Sequence, residues 1–240
     1  MTDLDAYLQR HYRSAEQLAA ACATTPQTLA ELVRHRLVPA PSYSVCAQGR
    51  LHSAAFGEFA DCGARPGDYF HPGNAAWVAL ALRVCDDRPM QAAQDELQAR
   101  FRSGYAAALR DCDRRIGRLR DAFDDNGEPI AAGLDARTAE AWAALVDGIY
   151  SLCVADPSSE RAIAEKEVLQ ETLTALHADP AASTWPDQEK ARVRGLIDRY
   201  ADAAMPFSPL EYPRSSRKRL VEDFRAALGA RGADSPHDGG

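Results

Sequence analysis

The chain has 240 residues, 46% apolar and 26% charged, with a net charge of −7. That length and balance permit a buried core and exclude a disordered or fibrous class. No apolar run reaches the length of a transmembrane helix, and the acidic balance disfavours non-specific nucleic-acid affinity. The N-terminus, MTDLDAYLQRHY, is amphipathic and lacks a secretory apolar region, so a cytoplasmic protein is expected. Six cysteines are scattered without a C-x-x-C pair, which reads as free thiols on apolar faces rather than disulfides.

Leu4, Tyr7, Leu8 and His11 share a stripe of a first helix. From Arg13 to Tyr43 the sequence predicts two short helices joined by a turn. Ser14 and Gln17 form an S-x-x-Q capping box, and Leu18 and Ala19 lie on one face. Ala23-Thr24 makes the turn. Thr25 caps the second helix with Pro26 at its first position, Leu29, Leu32 and Val33 form its apolar face, and Pro39 and Pro41 end it. Residues 46–73 read as an irregular connector. Ser42–Cys46 could open a wing-like strand around Gln48-Gly49, against a shortage of β-branched residues.

Asn74 caps a helix with apolar residues on most sides. A long helix follows over 89–123, with Leu97, Phe101, Tyr105, Leu109, Cys112, Ile116, Leu119 and Phe123 as its seam. Residues 124–129 form an acidic turn, the best internal boundary. Its later positions lack the ligands of a calcium loop. Further helices start at Thr138, at Ser158 or Ser159, at Pro186 and at Ser215, and a disordered tail is expected from Gly229. About eight helices and almost no strand signal predict an all-α fold. A helix-turn-helix-like module (1–45) is packed through the connector (46–73) on a larger helical bundle (74–228).

Candidate chemistry is dispersed. Pro213 delivers Arg214, Ser215 and Arg217 into a helix N-terminus, where amides, hydroxyls and guanidinium groups suit an anion. The competing reading is an N-cap followed by a solvated basic face; against it, basic residues at a helix start oppose the macrodipole, and an internal pair with Glu211 would give a reason for them. Glu167 and Glu171 share a helix face, but no E-x-x-H pair accompanies them. Cys46, His52, Cys62 and His71 match no compact zinc spacing, and no glycine-rich phosphate loop occurs, so no metal or cofactor is expected. Tyr69 and His71 belong to an aromatic cluster suited to line a pocket. On the second helix of the opening pair, Gln27, Thr28, Arg34 and Arg36 are the candidates for DNA contact.

Two resemblances follow from these residues. TLAELVRHRLVPAP resembles the reading helix and exit of DNA-binding domains of the mercury-resistance-regulator (MerR) type. LVPAPSY at 37–43, YFHPGNAAWV at 69–78, GIYSLCV at 148–154, IAEKE at 163–167 and MPFSPLEYPRSSRKRLVEDFR at 205–225 resemble a bacterial family of unknown function associated with natural-product biosynthesis. That second resemblance implies a role in a secondary-metabolite pathway and assigns no catalytic residue. The leading expectation is a protein that binds a small anionic or carrier-bound intermediate. Tyr69, His71, Glu167, Glu211, Arg214, Ser215 and Arg217 would then converge on one cavity, with no membrane involved. The alternative is a MerR-like regulator acting as a homodimer through the long helix.

Overall fold

The computed structural model describes residues 2–230 apart from 61 and 87. Helix α1 (Asp3–His11) is capped by Thr2, whose hydroxyl accepts the Asp5 amide at 3.2 Å. The short strand β1 (Arg13–Ser14) leads into α2 (Ala15–Ala21) through the full capping box of Ser14 and Gln17. Ala23, at a φ of +52°, makes the turn. Helix α3 (Pro26–Arg34) starts where Thr25 accepts the Thr28 amide at 3.1 Å. The local rules that point to a helix pair therefore operate here as expected.

The all-α expectation is wrong. The chain is 61% helical and carries a five-stranded antiparallel sheet, so it is a helix-rich mixed fold. Much of the expected connector over 46–73 lies in that sheet. Strands β2 (Tyr43–Val45), β3 (Leu51–Ser53), β4 (Gly57–Phe59) and β5 (Gly67–Phe70) join β1 in the order β1-β5-β2-β3-β4. Tyr43, Val45, Leu51 and Ser53 face the core, while Ser44 and His52 face outward. Strands this short give barely one period of alternation, and of their residues only Val45 is β-branched. Pairing between β1 and β5 is non-local, so nothing in either segment announces it. The hairpin at Gln48-Gly49 does form, with Gly49 at a φ of +77°.

Helix α4 (Asn74–Val84) packs on α5 (Met90–Cys112). The expected long helix stops at Cys112, although its seam remains buried through Ile116, Leu119 and Phe123. Asp113 ends it. Its buried carboxylate accepts the Leu119 amide at 2.8 Å and Arg118 Nε at 3.2 Å, and Arg114 follows at a φ of +65°. The acidic turn is an Asx turn, with Asp124 Oδ1 accepting the Asn126 and Glu128 amides. Helix α6 (Ala131–Val146) begins before the expected Thr138. Then come α7 (Ile149–Cys153), α8 (Glu160–Ala178), α9 (Asp187–Ala203), a π-helical turn over Lys218–Asp223, and α10 (Phe224–Ala230). Helix α8 lies against α5 and α9, and one continuous apolar cluster runs from the sheet to α10. The expected tail lies outside the described residues from 231 onward.

Two contacts bind the sheet side to the later helices. Gly148 sits at a φ of +79° between α6 and α7, where an added Cβ would stand 2.7 Å from the Ala40 carbonyl oxygen. Gly148→Ala is expected to cost about 1–3 kcal/mol, read as a lower urea midpoint; an unchanged midpoint would contradict this close approach. The second contact is Glu211, which is fully buried. Its carboxylate accepts hydroxyl hydrogens from Tyr43 and Ser53, each at 2.5 Å, and from Ser208 at 2.7 Å.

Candidate functional site

The floor of the principal cleft is built on α8. Lys166 continues the buried stripe of Ile163, Leu169 and Leu173 and is only 2% exposed. A buried ammonium needs a full set of acceptors. Lys166 Nζ donates to Glu167 Oε1 and Gln170 Oε1, each at 2.8 Å, and to Cys153 Sγ at 3.4 Å. Gln170 Oε1 also lies 3.1 Å from the Tyr200 hydroxyl, which lies 2.7 Å from Ser216 Oγ. The single Tyr200 proton can serve either Ser216 Oγ or Gln170 Oε1, and the shorter contact is the one to Ser216.

The surroundings fix protonation. Burial opposes the Lys166 charge, but Cys153, Glu167 and Tyr200 together outweigh it and hold the amine protonated. Burial pushes the Cys153 thiol up, against the pull of Lys166. Tyr105 and Tyr150, whose hydroxyls are mutual neighbours, are both pushed up, first by burial and also by the nearby Glu167 carboxylate. Each of these shifts moves its group away from neutrality, whereas a general acid or base needs a pKa near the working pH.

The cleft has a volume of about 930 Å³. Its walls include Ala141, Ala144, Ile149, Ala175 and Ala178. Arg137 of α6 bridges Asp121 and Glu171 with contacts of 2.7–2.9 Å. At the rim, Arg214 stacks 5.4 Å from the Phe56 ring and 5.2 Å from the Phe59 ring. Phe56 meets Phe207 edge-on at 5.9 Å. Phe207 adopts a φ of +22°, a strained value for a bulky residue. Arg219 lines the cleft from the π-helical turn, a geometry that recurs at functional sites. Arg214 and Arg219 are exposed, and neither guanidinium has a hydrogen-bond or ion-pair partner among the described residues.

Of the residues expected to converge, Glu167 and Arg214 meet at this cleft and the rest do not. Tyr69 donates to the Arg65 carbonyl at 2.8 Å. His71 is buried beside Tyr12, and its Nδ1 accepts the Gly73 amide at 3.0 Å. Glu211 belongs to the buried clamp. Ser215 caps the following turn, accepting the Lys218 amide at 3.1 Å. Arg217 turns away and donates to the carbonyls of Ala201 and Ala204, closing the end of α9. In the helix pair, Gln27 is exposed and Thr28 meets the Thr25 hydroxyl at 3.0 Å. Arg34 pairs with Glu31, and Arg36 pairs with Asp147 at 2.8 Å.

Sequence reasoning missed Lys166, Gln170, Arg137 and Arg219, and it reads Tyr105 and Tyr150 only as apolar packing positions. A usable signal existed for Lys166, three residues from both Ile163 and Leu169 on the apolar face. Arg219 carried none, because the π turn changes the register on which helical spacing relies. Among the described residues, no cluster of three or more His, Cys, Asp or Glu side chains could hold a metal ion. No described helix is long and apolar enough to cross a membrane.

Residues 97–229 match a family of unknown function, DUF6058, over more than half of the chain. The chain belongs to that family. No curated protein and no solved structure matches it. The DUF6058 span runs from within α5 into α10 and supplies every residue lining the cleft except Ala55 and Phe56.

Proposed function

We propose that this protein binds a small amphipathic organic anion in the cleft and holds it rather than transforming it. The observation that carries the reading is the pair of guanidinium groups, Arg214 and Arg219, that have no hydrogen-bond or ion-pair partner among the described residues, on the rim of an aromatic and aliphatic cavity. Arginine forks suit a carboxylate or phosphate, and Phe56, Phe207 and the alanine-rich wall suit an apolar body. Glu140 of α6, which has no hydrogen-bond or ion-pair partner among the described residues, accommodates a positive group elsewhere on the same ligand. The upward shifts of Lys166, Cys153, Tyr105 and Tyr150, away from neutral pH, favour holding over proton transfer by these groups. A free or carrier-bound intermediate of natural-product biosynthesis has this chemistry, and that setting rests on the sequence phrases alone.

Thermal-shift and calorimetric titration with aromatic carboxylates and phosphate monoesters test the reading. At least one such anion should stabilise the native protein, and Arg214→Ala with Arg219→Ala should weaken its binding by about 10²-fold or more. Anions that leave both proteins unmoved at millimolar concentration would remove the proposal.

The competing reading, DNA recognition by α3, draws support from the β2–β3 hairpin that follows it as a wing. It is weaker because Arg34 and Arg36 already hold carboxylates and the net charge is −7.

A further inference from the structure

Cys153 and Lys166 place a thiol sulfur and an amine nitrogen 3.4 Å apart with both positions fixed. The backbone beyond the sulfur is tied to the end of α9, where the Met205 amide donates to the Cys153 carbonyl at 3.1 Å and Ala155 donates to Ala203 at 2.9 Å. The nitrogen is fixed by Glu167 and Gln170. Both residues line the cleft, so a small hydroperoxide can reach the sulfur, while the 9% exposure of Cys153 excludes a bulky thiol. No other cysteine lines the cleft, so no disulfide partner competes there.

We propose that Cys153 and Lys166 are an oxidation-dependent crosslinking site, joined by a sulfur–nitrogen bond through a sulfenic acid on Cys153. In the first step the thiol sulfur takes one oxygen from a hydroperoxide. The O–O bond breaks, sulfur is oxidised by two electrons, and the peroxide is reduced to water or an alcohol. In the second step the Lys166 ammonium first gives one proton to Glu167, 2.8 Å away, and the freed Nζ lone pair attacks the sulfenic sulfur. The S–O bond breaks, and the hydroxyl takes a second proton from the same nitrogen and leaves as water. The product removes the positive charge of the cleft floor and ties α7 to α8. This chemistry is independent of the ligand reading, since it requires only that the cleft admit peroxide.

The test is peptide mapping of the full-length protein after hydrogen peroxide treatment, digested without reductant. Each link lowers the intact mass by about 2 Da, because two hydrogens are lost and no oxygen is kept. Trypsin should no longer cut after Lys166, and the peptide 138–161 should appear joined to 162–190 until dithiothreitol releases it. In Cys153→Ala the joined peptide should be absent, and dimedone added with the peroxide should label Cys153 at the expense of the link. Cys153 carrying added oxygen while trypsin still cuts after Lys166, or Cys153 remaining reduced as other thiols oxidise, overturns the proposal.

Discussion

Replacing Glu211 by leucine is expected to lower the unfolding free energy by about 3–5 kcal/mol. The side chain is fully buried and collects three hydroxyl donors from β2, β3 and the loop before the last helices. Leucine fills a similar space but leaves Tyr43, Ser53 and Ser208 without their acceptor in a dry interior. Orphaned donors of this kind cost more than the bonds themselves contribute. Glu211→Gln keeps an acceptor oxygen and should fall between wild type and leucine. The midpoint of urea unfolding reads all three proteins. Equal midpoints for wild type and Glu211→Leu would mean that the clamp does not hold the sheet to the helices.

Mild acid should weaken the fold through His71. Burial is the leading cause that pulls its pKa down to about 4, with His11 adding to it and Asp156 and the Ala155 backbone opposing it. An unfolded histidine takes up a proton near pH 6.5, whereas the folded one refuses it until about pH 4. The unfolded state therefore binds more protons in that window, and stability falls as pH drops through it. Between pH 7 and 5 the loss should be about 2 kcal/mol, with little pH dependence from this residue above 7. His11, also shifted down, contributes with the same sign. The lowered carboxylates of Asp121 and Glu165 add their own loss only below their ordinary range near 4. His71→Gln should flatten most of the slope between pH 7 and 5. A slope unchanged by that substitution would assign the acid sensitivity elsewhere.

The parts of the fold that follow local rules were legible. Ser14, Gln17, Thr25 and Pro26 determine helix starts through neighbours three residues away, and they do so here. What was not legible depends on distant partners. The strands are short and poor in β-branched residues, and β1 and β2 find their shared partner β5 far along the chain. The seam through Ile116, Leu119 and Phe123 was read correctly as buried, but Asp113 diverts the backbone that carries it. At the site, Glu167 and Arg214 were visible as polar residues, yet sequence could not separate Arg214 from Arg217. Both follow Pro213 closely; one faces the cleft and the other caps α9. Lys166 was not among the candidate site residues, although its spacing from Ile163 and Leu169 placed it on the apolar face.

The clamp at Glu211 also sets an order of events during synthesis. Tyr43 and Ser53 leave the ribosome 168 and 158 residues before their acceptor. At ordinary elongation rates the sheet waits roughly ten to thirty seconds for it. In that interval two inward-facing hydroxyls lack the carboxylate, and Phe56 lacks Phe207 and Arg214. The N-terminal sheet therefore lacks part of its polar core until Glu211 has been made.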